Sequence, residues 1–187
     1  QTENHIAFAC GDGVLAIEQE GNVFTAHKIA NPADMPDGVR IGSLKGSAEN
    51  DVMIGGSRAG LFLVDLAQES ITAFNWEPSE DVSLVSYGFD GHNEHSLIID
   101  STGHLNVFSA ENNWELDKRI SLFTDLAEDA KPSIVASKAH ELIYIIHGQE
   151  VVTVDLHEGE VLGHFDLDFT PAKAAWLGVA SEEEHEH

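Results

Sequence analysis

The chain has 187 residues, 42% of them hydrophobic, with 33 acidic against 9 basic side chains and a formal net charge of −24. That length supports one sizeable domain with a buried core, and no apolar run approaches the roughly 18 residues needed to cross a bilayer. The charge repels nucleic-acid phosphates and anionic lipid headgroups, argues against membrane insertion, and attracts metal cations and basic protein patches.

The elements repeat in chain order. Gln1 to His5 has neither a basic nor an apolar leader character, as fits a mature N-terminus or a fragment. His5-Ile6-Ala7-Phe8-Ala9 reads as a strand, turned by Gly11-Asp12-Gly13 into Val14-Leu15-Ala16-Ile17. The same order returns at Val52-Met53-Ile54 with Leu61-Phe62-Leu63-Val64. It returns again at Leu97-Ile98-Ile99 with Leu105-Asn106-Val107-Phe108, and at Leu142 to Ile146 with Val151 to Val154. Each hairpin is followed by a polar turn and a third strand, such as Val23 to Ala26 or Val161 to Phe165. A longer loop, often with proline, then leads to a strand of small residues: Val39 to Gly42, Val82 to Val85, Ser133 to Ala136 and Ala172 to Leu177. Small side chains suit the crowded innermost strand near a propeller axis. Phe123 to Ala130 is the one stretch that predicts a short turn of helix.

The unit starts near residues 5, 51, 96 and 142. A period of about 45 residues is that of a four-stranded propeller blade. The fold class is therefore all-β, a β-propeller with repeats near 5–50, 51–95, 96–141 and 142–187. The chain enters at a blade's second strand and leaves after an innermost one. This predicts a single domain that is the C-terminal half of a seven- or eight-bladed propeller, the remaining half being a partner supplied by the same precursor, even as a separate chain. A complete four-bladed ring is the competing reading.

The repeat also converts sequence position into spatial position. The turn that leaves each innermost strand carries Glu3-Asn4-His5, Glu49-Asn50-Asp51, His92-Asn93-Glu94-His95, His140-Glu141 and Glu184-His185-Glu186-His187. In a propeller these copies fall on one face, near the axis. Zinc takes three or four imidazole, carboxylate or thiolate donors in a small tetrahedron. Cys10 is the only cysteine. It excludes an internal disulfide or a thiolate pair, and reads as a half-buried apolar side chain or the partner of a cysteine elsewhere. A His/Asp/Glu set is what remains, and it suits zinc, with copper and nickel also accommodated. The candidate ligands are His5, His92, His95, His140, His185 and His187, against the plain alternative of solvated turn histidines. The Glu-His-Glu-His terminus is expected to add an arm that captures or hands over metal. His104 and His147 border the opposite hairpin turns, near Asp12 and Asp100, and are the candidates for a second site. His27 and His164 in third strands and His157 in a turn read as structural or exposed.

No zinc-protease helix motif, Walker loop, dinucleotide fingerprint, EF-hand loop or nucleophile elbow is present. The tryptophans Trp76, Trp114 and Trp176 read as packing residues. No catalytic constellation emerges, so the sequence predicts a protein that is not an enzyme.

The acidic, histidine-bearing repeats, the Phe8-Ala9-Cys10-Gly11-Asp12-Gly13-Val14 segment and the His-Glu-His terminus together resemble the AztD-type zinc chaperones. The resemblance spans nearly the whole chain. It implies a periplasmic β-propeller metallochaperone that binds zinc and hands it to the solute-binding protein of a bacterial zinc ABC transporter. The family's histidine-rich segment nearer the N-terminus has no counterpart here. The alternative function is a non-enzymatic propeller scaffold for protein–protein contact.

Overall fold

The computed structural model describes residues 2, 4–46, 50–124, 126–127 and 129–177. Alternating β-branched runs separated by tight glycine turns become strands paired entirely antiparallel. The described residues contain no helix, and so none long and apolar enough to cross a membrane.

The chain divides into two compact units, Gln1–Trp76 and Glu77–His187. The first unit contains two sheets. One is three-stranded: β1 (His5–Cys10), β2 (Gly13–Glu20) and β3 (Val23–Ala30), in that order. The other is four-stranded: β4 (Ser43–Lys45), β5 (Val52–Ser57), β6 (Gly60–Asp65) and β7 (Ser70–Ala73). The second unit contains β8 (Leu84–Phe89), β9 (His95–Asp100), β10 (His104–Ser109) and β11 (Glu115–Ser121) in one sheet. Its other sheet is β12 (Ser133–Ala136), β13 (Leu142–His147), β14 (Glu150–Asp155) and β15 (Glu160–Asp166). Each sheet runs in chain order, the meander of a propeller blade.

The register repeats with the sequence. Cys10 pairs Gly13, Ser57 pairs Gly60 and His147 pairs Glu150, each closing a two-residue hairpin. Gly13 has φ +144°, and a Cβ there would stand 2.0 Å from the Ile29 carbonyl oxygen, so only glycine lets β3 close on this corner.

Burial is deepest in β9, whereas β1, at the same place in the repeat, leaves Ile6 and Phe8 exposed. Leu97, Ile98 and Ile99 in β9 are fully buried, as expected of a strand covered on both faces. The outer strands β3, β11 and β15 leave Val23, Phe24, Leu116, Leu162 and Phe165 exposed. Leu97, Ile99, Leu105, Ile143, Ile145 and Val152 belong to the core of the second unit. Val14, Ile29, Ile41, Met53 and Val64 belong to that of the first. Ile145→Ala is expected to cost about 2–5 kcal/mol, because the well-packed surroundings only partly collapse into the space left. Leu162→Ala, at a side chain 53% exposed, should stay within about 0.5 kcal/mol. Urea midpoints of the two variants check the contrast.

Innermost strands depart most from expectation. Val39 and Ile41 are buried but form no strand, which begins only at Ser43. The Val39 N–H is spent on the Pro36 carbonyl, and ladder-like bonding starts with Gly42 N–H to the Gly56 carbonyl at 2.8 Å. The next innermost strand starts at Leu84, not Val82, whose N–H bonds Ser79. Ser133–Ala136 is a strand as predicted. Ala172 to Leu177 is not a strand, having no partner among the described residues. Within Phe123 to Ala130 the described residues form a bend and a turn. Phe123 is buried and bonds the Gly103 carbonyl, which holds the chain off a helical path.

Asp100 is a polar anchor of the second unit. Its side chain is fully buried at the β9–β10 hairpin. It accepts from the Thr102 backbone and hydroxyl at 2.9 and 2.6 Å, from Asn106 Nδ2 at 2.9 Å and from Arg119 Nη2 at 3.1 Å. Burial pushes its carboxyl up, but the hydrogen bonds from Thr102, Asn106 and the His104 backbone outweigh that and hold it below 3.8.

Candidate metal centre

The loop joining β8 to β9 is drawn tight by one side chain. The Asp90 N–H donates to the His95 carbonyl at 3.1 Å. Its carboxylate accepts from the His95 N–H at 3.2 Å and lies 3.0 Å from the His95 Nδ1. A single aspartate therefore closes the loop and fixes the imidazole. Asn93 between them takes φ +61°, a conformation that asparagine tolerates better than most residues. The Glu94 carbonyl is held by the Ala110 N–H at 2.8 Å.

The consequence is a cluster. One ligand atom each from Asp90, Glu94 and His95 lie within 4.8 Å of one another. Glu94 is exposed, while the Asp90 and His95 side chains are 8% and 25% exposed. The Asp90 hydrogen bond raises the His95 proton affinity above the ordinary 6.5. Burial opposes it, the charges of Asp90 and Glu94 add to it, and Lys118 subtracts. The carboxylates that favour the imidazolium favour a metal cation in the same place. One nitrogen and two oxygen donors are types that zinc takes, and drawn in from 4.8 Å to a tetrahedral edge of about 3.4 Å they would leave a fourth corner open. Both side-chain polar atoms of Asn93, a residue 1% exposed, lack hydrogen-bond partners beside this cluster.

The other predicted ligands are distributed as follows. His92 is half-buried in the same loop. His140 is exposed in the turn after β12, where its N–H and that of Ala139 both donate to Ser137 Oγ at 3.1 Å. That turn abuts the β8–β9 loop: a Cβ on Gly91 would stand 1.8 Å from the Ser137 carbonyl oxygen. His92, His95 and the His140 turn thus share one neighbourhood, but neither His92 nor His140 belongs to the three-donor group. His5 lies in the first unit, 8% exposed, with its Nδ1 2.9 Å from Asp51 Oδ1. His185 and His187 lie outside the described residues. Asp90 is not among the ligands that the sequence predicts, because it falls before the repeated turn. The available signal was its place five residues before His95, within reach across a closed loop.

The remaining histidines have local partners. His104 Nδ1 meets Thr102 Oγ1 at 2.9 Å, and His147 packs edge-on against Phe123 at 5.6 Å. His164 contacts Glu150 at 2.7 Å, and His157 lies near Glu141 and Glu158 at 3.5 and 3.7 Å. Cys10 is a free thiol of intermediate burial.

No protein-family model matches the sequence, and no curated protein matches it. Solved structures do. Apo AztD from Citrobacter koseri superposes with a TM-score of 0.74 at 16% identity, covering 91% of this chain and 46% of that one. A second structure of Citrobacter koseri AztD gives 0.73 at 15% identity, with the same coverages. The Cps50 (Swd1) β-propeller domain of Myceliophteria thermophila gives 0.54 at 11% identity, covering 87% of this chain and 57% of that one. The likeness is one of fold: the chain has an AztD-type β-propeller architecture and spans about 46% of the length of those AztD structures.

Proposed function

We propose that this chain is part of a non-enzymatic zinc-binding propeller that carries the ion as cargo and passes it to a partner. The observation that carries the reading is the Asp90, Glu94 and His95 group, drawn together by the Asp90 bridge. Its mixed nitrogen and oxygen donors suit zinc. Three donors with an open fourth position suit an ion that must leave again, because an incoming ligand can bind before the others let go. Asp90 Oδ2 lies 3.0 Å from His95 Nδ1, so an ion shared by the two takes the place of the proton between them. The surrounding charge of −24 concentrates cations near the protein.

The resemblance to AztD-type chaperones gives this cargo role its setting. The partner is the solute-binding protein of a zinc ABC transporter, the compartment is the periplasm, and the intact protein is a seven- or eight-bladed propeller. Transfer runs by exchange of His95 and its carboxylates for ligands of the solute-binding protein. The test is to load the protein with zinc, mix it with the apo solute-binding protein, separate them and measure the metal on each. Movement of zinc faster than its spontaneous release supports transfer. Movement at the rate of release, unchanged by the protein's presence, rejects it.

The scaffold reading has one observation in its favour, the exposed Val23 and Phe24 on β3, at 63% and 61%. It expects a partner contact that persists in chelator and is lost in Val23→Ser/Phe24→Ser.

A further inference from the structure

The unit Gln1–Trp76 holds a cavity of about 390 Å3. One wall is the β6–β7 turn, through Leu66, Ala67 and Glu69, and His5 and His27 line it as well. Glu69 has φ +50°, in the left-handed region that a side chain resists. Its carboxylate lies 2.8 Å from the His27 Nδ1, so the third strand of one sheet holds a turn of the next. Glu18 Oε2, 3.6 Å from the other ring nitrogen, backs the imidazole.

The repeat builds the same fastening differently in the second unit. Val64-Asp65-Leu66-Ala67-Gln68-Glu69 matches Val154-Asp155-Leu156-His157-Glu158-Gly159 of the β14–β15 turn. In both, the leucine N–H bonds a carbonyl just before an earlier strand, Asp51 at 3.0 Å and Glu141 at 2.9 Å. In both, an aspartate caps the turn: Gln68 N–H donates to Asp65 Oδ1 at 2.8 Å, and Glu158 N–H to Asp155 Oδ1 at 3.0 Å. His27 stands opposite Ala16, and Lys118 opposite Val107, each a core residue of its unit. The last turn position and its fastener are what differ. Gly159 adopts φ +72° freely. Lys118 lies over it, its Cδ 3.0 Å from where a Cβ would stand, and donates to the Leu156 carbonyl at 3.0 Å. Glu69 instead holds an unfavourable backbone, and its tie to His27 joins side chains 52% and 32% exposed. Pairs this exposed to water contribute little.

We propose that the turn Leu66 to Glu69 is a lid on this cavity and that the His27–Glu69 contact is its latch. A residue held off its preferred backbone is a common mark of clamps and switch regions. The left-handed conformation of Glu69 favours release and the ion pair favours closure. Both effects are small, so the turn opens and recloses without unfolding the sheet. Val64 and Ile71, buried on either side of the turn, are its fixed ends. Opening uncovers His5, which is 8% exposed with the lid shut. The matching turn of the second unit, with its glycine and its lysine on a backbone carbonyl, stays shut. This device does not depend on the Asp90, Glu94 and His95 group or on the cargo it carries.

The test pairs amide hydrogen exchange of the full chain with carbethoxylation of its histidines by diethyl pyrocarbonate. In the wild type the turn Leu66–Glu69 should exchange faster than Leu156–Gly159, because its opening costs less. His27→Phe and Glu69→Met keep the cavity wall filled and remove the latch. Each should speed exchange in the Leu66–Glu69 turn by about two- to fivefold, as the loss of an exposed ion pair predicts. Carbethoxylation of His5 should rise by the same factor, while His157, 75% exposed, reacts as before. Glu69 is solvent-reaching, so its variant should fold even if His27→Phe does not. Glu69→Gly should melt no lower than Glu69→Met, since glycine takes the left-handed backbone freely. Unchanged turn exchange and His5 labelling in both latch variants would overturn the lid. So would a wild-type Leu66–Glu69 turn as well protected as Leu156–Gly159.

Discussion

Asp100→Ala is expected to destabilise the protein by about 3 kcal/mol, near the lower end of the cost of breaking a buried charge pair. The lower end applies because Arg119 is 35% exposed and recovers some hydration. The rest is not recovered, since Asn106 is fully buried and the Thr102 N–H is aimed at the lost carboxylate. The pH dependence has a definite sign. The folded carboxyl titrates below its ordinary 3.8, so its stabilisation is complete above that value and is lost as pH falls through the lower folded one. Asp100→Asn should flatten this acid limb while leaving the neutral-pH unfolding cooperative. Urea unfolding between neutral and strongly acidic pH checks both. A neutral-pH midpoint unchanged in Asp100→Ala would mean that the hairpin network adds nothing.

Gly91→Ala is the second large effect, and it joins fold to site. The new Cβ would meet the Ser137 carbonyl oxygen at 1.8 Å and its carbon at 2.7 Å. Both are backbone atoms, so no rotamer change relieves the clash, and the β8–β9 loop must move away from the His140 turn. Overpacking of this kind costs about 1–3 kcal/mol. The displacement also spreads Asp90, Glu94 and His95, and zinc affinity should fall about tenfold or more, as when the support of a metal ligand is lost. Thermal unfolding and zinc titration of the same preparation separate the two. Wild-type melting and wild-type affinity together would show that the loop contact is not needed.

The repeat was legible because each hairpin has its own chemistry. Gly11-Asp12, Arg58-Ala59 and Gly148-Gln149 all close two-residue turns between β-branched runs, and the structure pairs the flanking residues in the same register. Innermost strands were less legible. Val39 and Val82 have strand-like character, but whether they ladder depends on which carbonyl their N–H groups meet, and Pro36 and Ser79 are met first. The centre was half legible. His92 and His95 stand out by type and repeat position, whereas Asp90 matters because a backbone loop folds its carboxylate onto His95. His27 reads from the sequence as a structural or exposed third-strand residue. Its ring is placed by Glu69, 42 positions on, whose φ of +50° in the β6–β7 turn no local pattern reveals.

Zinc calorimetry on the wild-type chain beside Glu94→Gln/His95→Ala, with circular dichroism confirming that both fold, is the most direct test of the zinc reading. The wild type should bind zinc in a tight event that the double variant loses by about a hundredfold or more in affinity. Equal tight binding by both, or no tight binding by the wild type, would contradict Asp90, Glu94 and His95 as the cargo centre.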